Sequence, residues 1–133
     1  MLFRSTPAAP VILAPAKPGT VRRVALVIGN SAYQYVPKLR LPANDASAIA
    51  KMLVGAGFEV ILQNDVRNLE FKRAIRRFGD DLRDAEIAVV FYAGHGIEVR
   101  GTNYLIPVDA RLDRKSTRLN SSHIQKSRMP SSA

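Results

Sequence analysis

A histidine between two glycines ends the most apolar run of the sequence. The run covers Ile87–Tyr92, and the chain continues through Ala93 to Gly94, His95 and Gly96. An unbroken apolar run bounded by turn residues is typical of a strand covered on both faces in a parallel sheet. In open α/β sheets, ligands bind just outside the carboxyl ends of the strands. His95 is therefore a candidate general acid/base, because imidazole titrates near neutral pH, although Gly-His-Gly also occurs as a simple turn.

The elements around this strand follow a β-α-β-α-β order. Val24–Ile28 and Phe58–Leu62 are short apolar runs that predict buried strands. Each run precedes a helical pattern, for which Asn44 and Asn68 are the predicted caps. The helical stripes comprise Ala46, Ile49, Ala50 and Leu53 in the first helix, and Phe71, Ile75, Phe78 and Leu82 in the second. This order predicts an α/β fold with a mainly parallel sheet.

Two smaller features complete the middle of the chain. Asn103–Val108 predicts a short strand or edge segment, because Pro107 cannot donate to a ladder. Ser31 follows the first strand and could approach the same sheet edge as His95. No activating partner for a serine nucleophile is visible in the sequence, so we predict that Ser31 caps a loop.

The two ends of the chain differ from this middle. Met1–Thr20 is rich in proline and alanine and predicts an extended linker. Residues 113–133 have no apolar periodicity. They resemble a translated DNA-library sequencing adapter. Two blocks match the adapter in the right order and reading frame, and these are Asp113–His123 and Ser127–Ala133. We therefore predict an artefactual, disordered tail at 113–133, a reading frame cut near Leu112, and one domain at residues 21–112.

The composition limits the classes of function. The chain has 133 residues, a net charge of +9 and no cysteine, so thiolate and disulfide chemistry are excluded within these residues. Its basic residues are scattered and are enriched in the terminal segment, so we predict no nucleic-acid binding. No apolar stretch approaches the roughly 18 residues of a membrane helix or forms a signal-peptide core, so we predict a soluble domain with no membrane partner. Its localisation stays open.

Cofactor and phosphoacceptor classes fit the motifs poorly. No Gly-x-Gly-x-x-Gly follows the first strand, as dinucleotide binding requires. A phosphoacceptor domain needs an acidic residue at the end of its central strand, where this chain has Gly94-His95-Gly96. We predict no cofactor and no metal.

Five segments in order resemble the large-subunit half of caspase-like cysteine peptidases, most closely the bacterial caspase-family and metacaspase-like proteins. The matching segments are Val24–Asn30 with Tyr33, Pro42–Ala46, Gly57–Val60, Tyr92–Gly96 and Asn103–Asp109. The resemblance covers roughly residues 22 to 112. It implies a three-layer α-β-α sandwich that is truncated after the third core strand.

The resemblance also implies roles for three residues. His95 matches the catalytic histidine, and Gly96 matches a backbone N–H donor of the oxyanion hole. Asp45 matches a pocket residue that receives Arg or Lys before the cleaved bond, although the helix dipole also favours Asp in a first turn. Caspases that cut after aspartate use arginines instead, and Arg40 lies nearby in the sequence. The family's nucleophilic cysteine lies about 50 residues beyond the histidine.

The resemblance therefore predicts a fragment of a caspase/metacaspase-like cysteine endopeptidase with polypeptide substrates. The fragment itself is predicted to be inactive, because it carries His95 and has no cysteine. The alternative is a non-catalytic caspase-like domain used for protein interaction. The residue at the end of the next core strand, cysteine or another type, discriminates between the two.

Overall fold

A four-stranded sheet forms the centre of the molecule. The computed structural model of the chain describes residues 10–13, 21–111 and 125–127. The sheet has the order β1-β3-β2-β4, and its strands are β1 (Val11–Leu13), β2 (Arg23–Gly29), β3 (Glu59–Asn64) and β4 (Ile87–Ala93). β2 is parallel to both β3 and β4, whereas β1 is antiparallel to β3. The predicted mainly parallel sheet is confirmed.

Two helices cover opposite faces of the sheet, because β2 alternates its side chains between them. The helices are α1 (Pro42–Gly55) and α2 (Asn68–Asp81). Ala25 and Val27 of β2 belong to the cluster that also contains Ala46, Ala50, Leu53 and Val60. Val24, Leu26 and Ile28 belong to the cluster that also contains Ile61, Val66, Phe71, Ala74 and Phe78. The result is the three-layer α-β-α arrangement that the resemblance implies.

The first helix begins three residues earlier than a cap at Asn44 predicts, and Asn44 is not its cap. Pro42 is the first helical residue, which suits proline because the first turn leaves its N–H groups unpaired. The hydroxyl oxygen of Ser31 accepts the backbone N–H of Ala43 at 3.1 Å. Ser31 is predicted to cap a loop, and its hydroxyl instead caps the first turn of α1. The cap comes from a residue distant in sequence, which a local pattern cannot indicate.

The second helix begins at Asn68 itself, so the predicted cap lies one residue inside the helix. Two carboxylates accept backbone N–H groups there. Glu70 accepts the N–H of Arg67, and Asp109 accepts the N–H of Asn68, each at 2.9 Å. Negative charge at this end also complements the helix dipole.

A second, three-stranded sheet follows the histidine. It comprises β5 (Gly96–Val99), β6 (Thr102–Leu105) and β7 (Gln125–Ser127), all antiparallel. Arg100 and Gly101 have φ angles of 51° and 77°, as a tight two-residue hairpin turn requires. The strand predicted at Asn103–Val108 is therefore shorter and ends at Leu105, before Pro107.

Both ends of the chain contribute a strand that the sequence does not predict. β1 lies within the predicted linker Met1–Thr20, and β7 lies within the tail predicted to be disordered at 113–133. These expectations are wrong at residues 11–13 and 125–127, where the edges of β3 and β6 supply hydrogen-bonding partners. Three residues are too few to show periodicity. The other residues of the two segments lie outside the described ranges, apart from Pro10.

β4 is less covered than predicted. It forms an edge of the central sheet in the described part of the chain, and Ile87 and Val90 are 43% and 52% exposed. Val89 and Phe91 pack against the α1 cluster, whereas Tyr92 packs against the α2 cluster. The prediction of cover on both faces is thus wrong at Ile87, Ala88 and Val90, which are exposed. Within the described ranges, neither helix has the length and apolarity needed to cross a membrane.

Candidate active site

His95 lies where the parallel strands of the central sheet end. Gly29, Asn64 and Ala93 are the last residues of β2, β3 and β4, and the sheet register places them side by side. Gly94 continues from β4, and His95 follows directly. The sequence-predicted histidine therefore stands at the carboxyl edge of the sheet, where open α/β folds bind ligands.

The imidazole ring is oriented by a backbone carbonyl from the loop between β2 and α1. Nε2 of His95 lies 2.7 Å from the carbonyl oxygen of Pro37. A carbonyl oxygen only accepts hydrogen bonds, so Nε2 is the donor and Nδ1 of the neutral ring keeps its lone pair. The ring also meets Tyr33 edge-on, with 4.5 Å between centroids. Sequence reasoning missed Pro37, because any residue type can supply a carbonyl.

Two tyrosine hydroxyls hold the backbone of His95. The His95 N–H donates to Tyr33 Oη at 2.7 Å, and Tyr92 Oη donates to the His95 carbonyl at 2.7 Å. The Ile106 N–H donates to the same carbonyl at 3.1 Å. Sequence reasoning assigned no role to either tyrosine. Both lie within the segments that resemble the caspase-like family, and this position in the sequence could have indicated a role for them.

Burial raises the pKa of both tyrosine hydroxyls. Removal from solvent is the main cause at Tyr33, where hydrogen bonds to Tyr92 and His95 partly oppose it. Burial is also the main cause at Tyr92, and the hydrogen bond with Tyr33 raises its pKa further. Both hydroxyls therefore keep their protons at neutral pH and act as donors.

The hairpin register sets the direction of the Gly96 N–H. Gly96 stands opposite Leu105, next to the position where Ile106 donates to the His95 carbonyl. Opposite residues in an antiparallel ladder alternate between pairs that exchange hydrogen bonds and pairs that do not. Gly96 and Leu105 form a pair that does not exchange hydrogen bonds. The Gly96 N–H therefore points away from β6, and the residue itself is exposed.

A cleft of about 860 Å³ joins Asp45 to the end of β4. Its lining comprises Leu39, Arg40, Leu41, Pro42, Asn44, Asp45, Ala93 and Gly94. Asp45 lies in the first turn of α1 and is exposed, so its carboxylate is accessible to a ligand. Neither Asp45 nor Arg40 forms an ion pair with another residue in the described ranges. The structure thus brings Asp45 and the residue before His95 to one cleft.

The other carboxylates near this edge serve the backbone. Asp65 Oδ1 accepts the N–H groups of Ser31 and Ala32, each at 2.9 Å, and Asp109 accepts from the start of α2. Among residues 10–13, 21–111 and 125–127, no group of three or more His, Cys, Asp or Glu could hold a metal ion.

Comparison with known proteins gives a family and two relatives. The family model described as "Caspase domain" matches residues 22–130. The chain is 35% identical over 88 residues to the human mucosa-associated lymphoid tissue lymphoma translocation protein 1, and equally so to its mouse homolog. Each match covers 66% of this chain and 11% of the relative, so the chain spans about a tenth of these relatives. Both are mammalian and lend no support to the narrower bacterial or metacaspase-like expectation. The match over residues 22–130 and the fold agree, and this chain belongs to the caspase domain family, a family of caspase-like proteases.

Proposed function

We propose that the chain is the histidine-bearing part of a cysteine endopeptidase that cleaves polypeptides after Arg or Lys. The nucleophilic cysteine lies in a segment beyond these 133 residues, which contain none. One observation carries the proposal: the hydrogen bond from His95 Nε2 to the Pro37 carbonyl, at the carboxyl edge of the sheet. It leaves Nδ1 as the ring nitrogen that is able to exchange a proton.

The reaction then needs one proton to move twice. Nδ1 of His95 takes the thiol proton, and the thiolate sulfur forms a bond to the scissile carbonyl carbon. The tetrahedral intermediate collapses, the C–N bond breaks, and Nδ1 returns the proton to the leaving amine. Water then hydrolyses the acyl-enzyme and regenerates the thiol. The Pro37 carbonyl stabilises the imidazolium by accepting its Nε2–H throughout.

Gly96 supports the same reaction through its backbone. Its N–H belongs to the residue directly after the histidine and does not donate to β6. A backbone donor with no ladder partner is available to the oxygen that becomes negative in the intermediate. The second donor in this proposal is the backbone N–H of the cysteine itself.

Asp45 supports selection of a basic side chain. Its exposed carboxylate and the end of β4 line the same cleft, together with the apolar residues Leu39, Leu41 and Pro42. Apolar walls of this kind accommodate the methylene stem of Arg or Lys, and the carboxylate pairs with the charged head. Arg40 in the same cleft favours an acidic side chain instead, so the test compares both classes.

The test uses the full-length parent protein with fluorogenic peptides that carry Arg, Lys or Asp before the cleaved bond. We expect turnover of the Arg and Lys peptides and its loss in His95→Ala. Arg76→Ala, at an exposed position on α2, is the control and should keep full turnover. Turnover that survives His95→Ala contradicts the proposal. No turnover of any peptide by the wild-type parent favours the alternative, a non-catalytic domain for protein interaction.

A further inference from the structure

The hydrogen bonds of the His95 backbone depart from the ladder that surrounds them. In a regular antiparallel ladder, Ile106 N–H would donate to the His95 carbonyl, and His95 N–H would donate back to the Ile106 carbonyl. The first bond is present at 3.1 Å. The second is absent, because His95 N–H donates to Tyr33 Oη at 2.7 Å instead.

The Ile106 carbonyl oxygen already has other hydrogen-bonding partners. It accepts from Asn30 Nδ2 at 3.2 Å, and the hydroxyls of Tyr33 and Tyr92 each lie 3.0 Å from it. The two hydroxyl oxygens are themselves 3.0 Å apart. The side chains of Asn30 and Tyr33 are fully buried, and Tyr92 is largely so. The histidine is therefore attached to a closed cluster of polar groups inside the protein.

The available protons assign a separate hydrogen bond to each of the two tyrosine hydroxyls. Tyr33 Oη accepts the His95 N–H, so its own proton goes to the Ile106 carbonyl or to Tyr92 Oη. Tyr92 donates its proton along its shortest contact, 2.7 Å, to the His95 carbonyl. One hydroxyl thus holds the peptide group before the histidine side chain, and the other holds the peptide group after it.

Gly94 shows how closely the hydroxyls approach the chain. A Cβ atom at this position would lie 2.6 Å from Tyr33 Oη and 2.6 Å from Tyr92 Oη, well inside van der Waals contact. The hydroxyl pair and a side chain at position 94 are mutually exclusive. Glycine before the histidine is thus a requirement of this cluster.

We propose that Tyr33 and Tyr92 are positioning residues that hold His95 in the orientation in which its Nε2–H meets the Pro37 carbonyl. The effect of this positioning on catalysis rests on the proposed function. The positioning itself can be tested in this chain without any peptidase activity. Tyr33 contacts His95 in two ways, because its hydroxyl accepts the His95 N–H and its ring contacts the imidazole.

The test is nitrogen-15 NMR of the 133-residue chain at a pH where the imidazole is neutral. Tyr33→Phe removes the hydroxyl and keeps the ring contact with His95. Tyr92→Phe removes the hydroxyl and keeps the ring stacked on Phe71. Tyr104→Phe is the matched control, because its hydroxyl makes none of these hydrogen bonds. Long-range proton–nitrogen spectra report which ring nitrogen carries the proton, and His123, the second histidine of the chain, supplies an internal reference.

In the wild type and in Tyr104→Phe we expect the Nε2–H tautomer alone at His95. In Tyr33→Phe and Tyr92→Phe the Nδ1–H form should appear, and His95 amide exchange in Tyr33→Phe should become roughly 5- to 12-fold faster. The amide chemical shift of Leu26 in the central strand should stay at its folded position, because the sheet remains folded although both variants are less stable. An unchanged tautomer in both variants overturns the proposal. Loss of the folded Leu26 signal in both variants also overturns it, because the hydroxyls then serve the whole fold. Neither result depends on peptidase activity.

Discussion

His95 and Pro37 are 58 positions apart in the chain, and yet Nε2 of the histidine lies 2.7 Å from the proline carbonyl oxygen. The contact exists only if the loop between β2 and α1 keeps its place over the carboxyl edge of the sheet. Asp65 holds the beginning of that loop, because its Oδ1 accepts the N–H groups of Ser31 and Ala32. The stability of this loop is therefore the first property to test.

Asp65→Gly should destabilise the protein by about 1–3 kcal/mol, because two backbone N–H groups lose their acceptor. Glycine suits the φ angle of 53° at this position, so backbone strain does not contribute. Asp65→Asn keeps a side-chain oxygen and tolerates the left-handed conformation, so we expect a smaller loss. Urea unfolding followed by circular dichroism measures both. Equal stability of Asp65→Gly and the wild type would show that the loop does not depend on the carboxylate.

The central sheet and the inner faces of the helices could be predicted from the sequence, because they follow local periodicity. Val24–Ile28 is an apolar run and lies within β2, and Phe71 and Phe78 point inward as their spacing predicts. The placement of His95 at the sheet edge follows from the same reasoning. These features need only a segment's own residues and the general rules of α/β folds.

The contacts that complete the site could not be predicted in this way. Ser31 caps α1 in place of Asn44, and the Pro37 carbonyl orients His95. Each depends on where another segment lies after folding, and a carbonyl carries no side-chain signal. The strand at 125–127 was missed for a related reason, since its order comes from pairing with β6.

Gly94→Ala should destabilise the protein by roughly 1–3 kcal/mol, because the new methyl group overlaps the hydroxyls of Tyr33 and Tyr92. The matched control is Gly79→Ala in α2, where a Cβ meets nothing within 4 Å. That substitution should stabilise the helix by about 0.5–1 kcal/mol. Thermal and urea unfolding of both variants measure the difference. Equal effects at the two glycines would argue against the close approach at position 94.

Asp45→Ala in the full-length parent should lower selectivity for Arg and Lys peptides roughly 10- to 150-fold, since a charge-assisted contact contributes about 1.5–3 kcal/mol. Turnover of a neutral peptide should change little, because Asp45 takes no part in proton transfer. Asp80→Ala, at an exposed position on α2, is the control. Profiling a peptide library gives the comparison. An unchanged profile would remove Asp45 from the site, and a wild-type preference for acidic peptides would point to Arg40.

Alkaline pH should weaken the fold through the tyrosine pair. Burial raises the pKa of Tyr33 and of Tyr92 above the ordinary value of about 10, so the folded state favours the protonated hydroxyls. Their contribution to stability is complete below that ordinary value. As the pH rises above it, the unfolded chain releases protons that the folded chain retains, and the stability falls until the folded hydroxyls ionise as well.

The free energy of unfolding should therefore fall above about pH 10, by up to about 1.4 kcal/mol per pH unit for each of the two tyrosines. Tyr33→Phe and Tyr92→Phe should each make this fall less steep, although both are less stable at neutral pH because partners of the lost hydroxyl remain unpaired. Tyr104→Phe, whose hydroxyl lies outside the cluster, should keep the wild-type slope. Urea unfolding at intervals from pH 7 to 11 measures the slopes. An identical slope in all four proteins would show that the buried hydroxyls do not couple folding to pH.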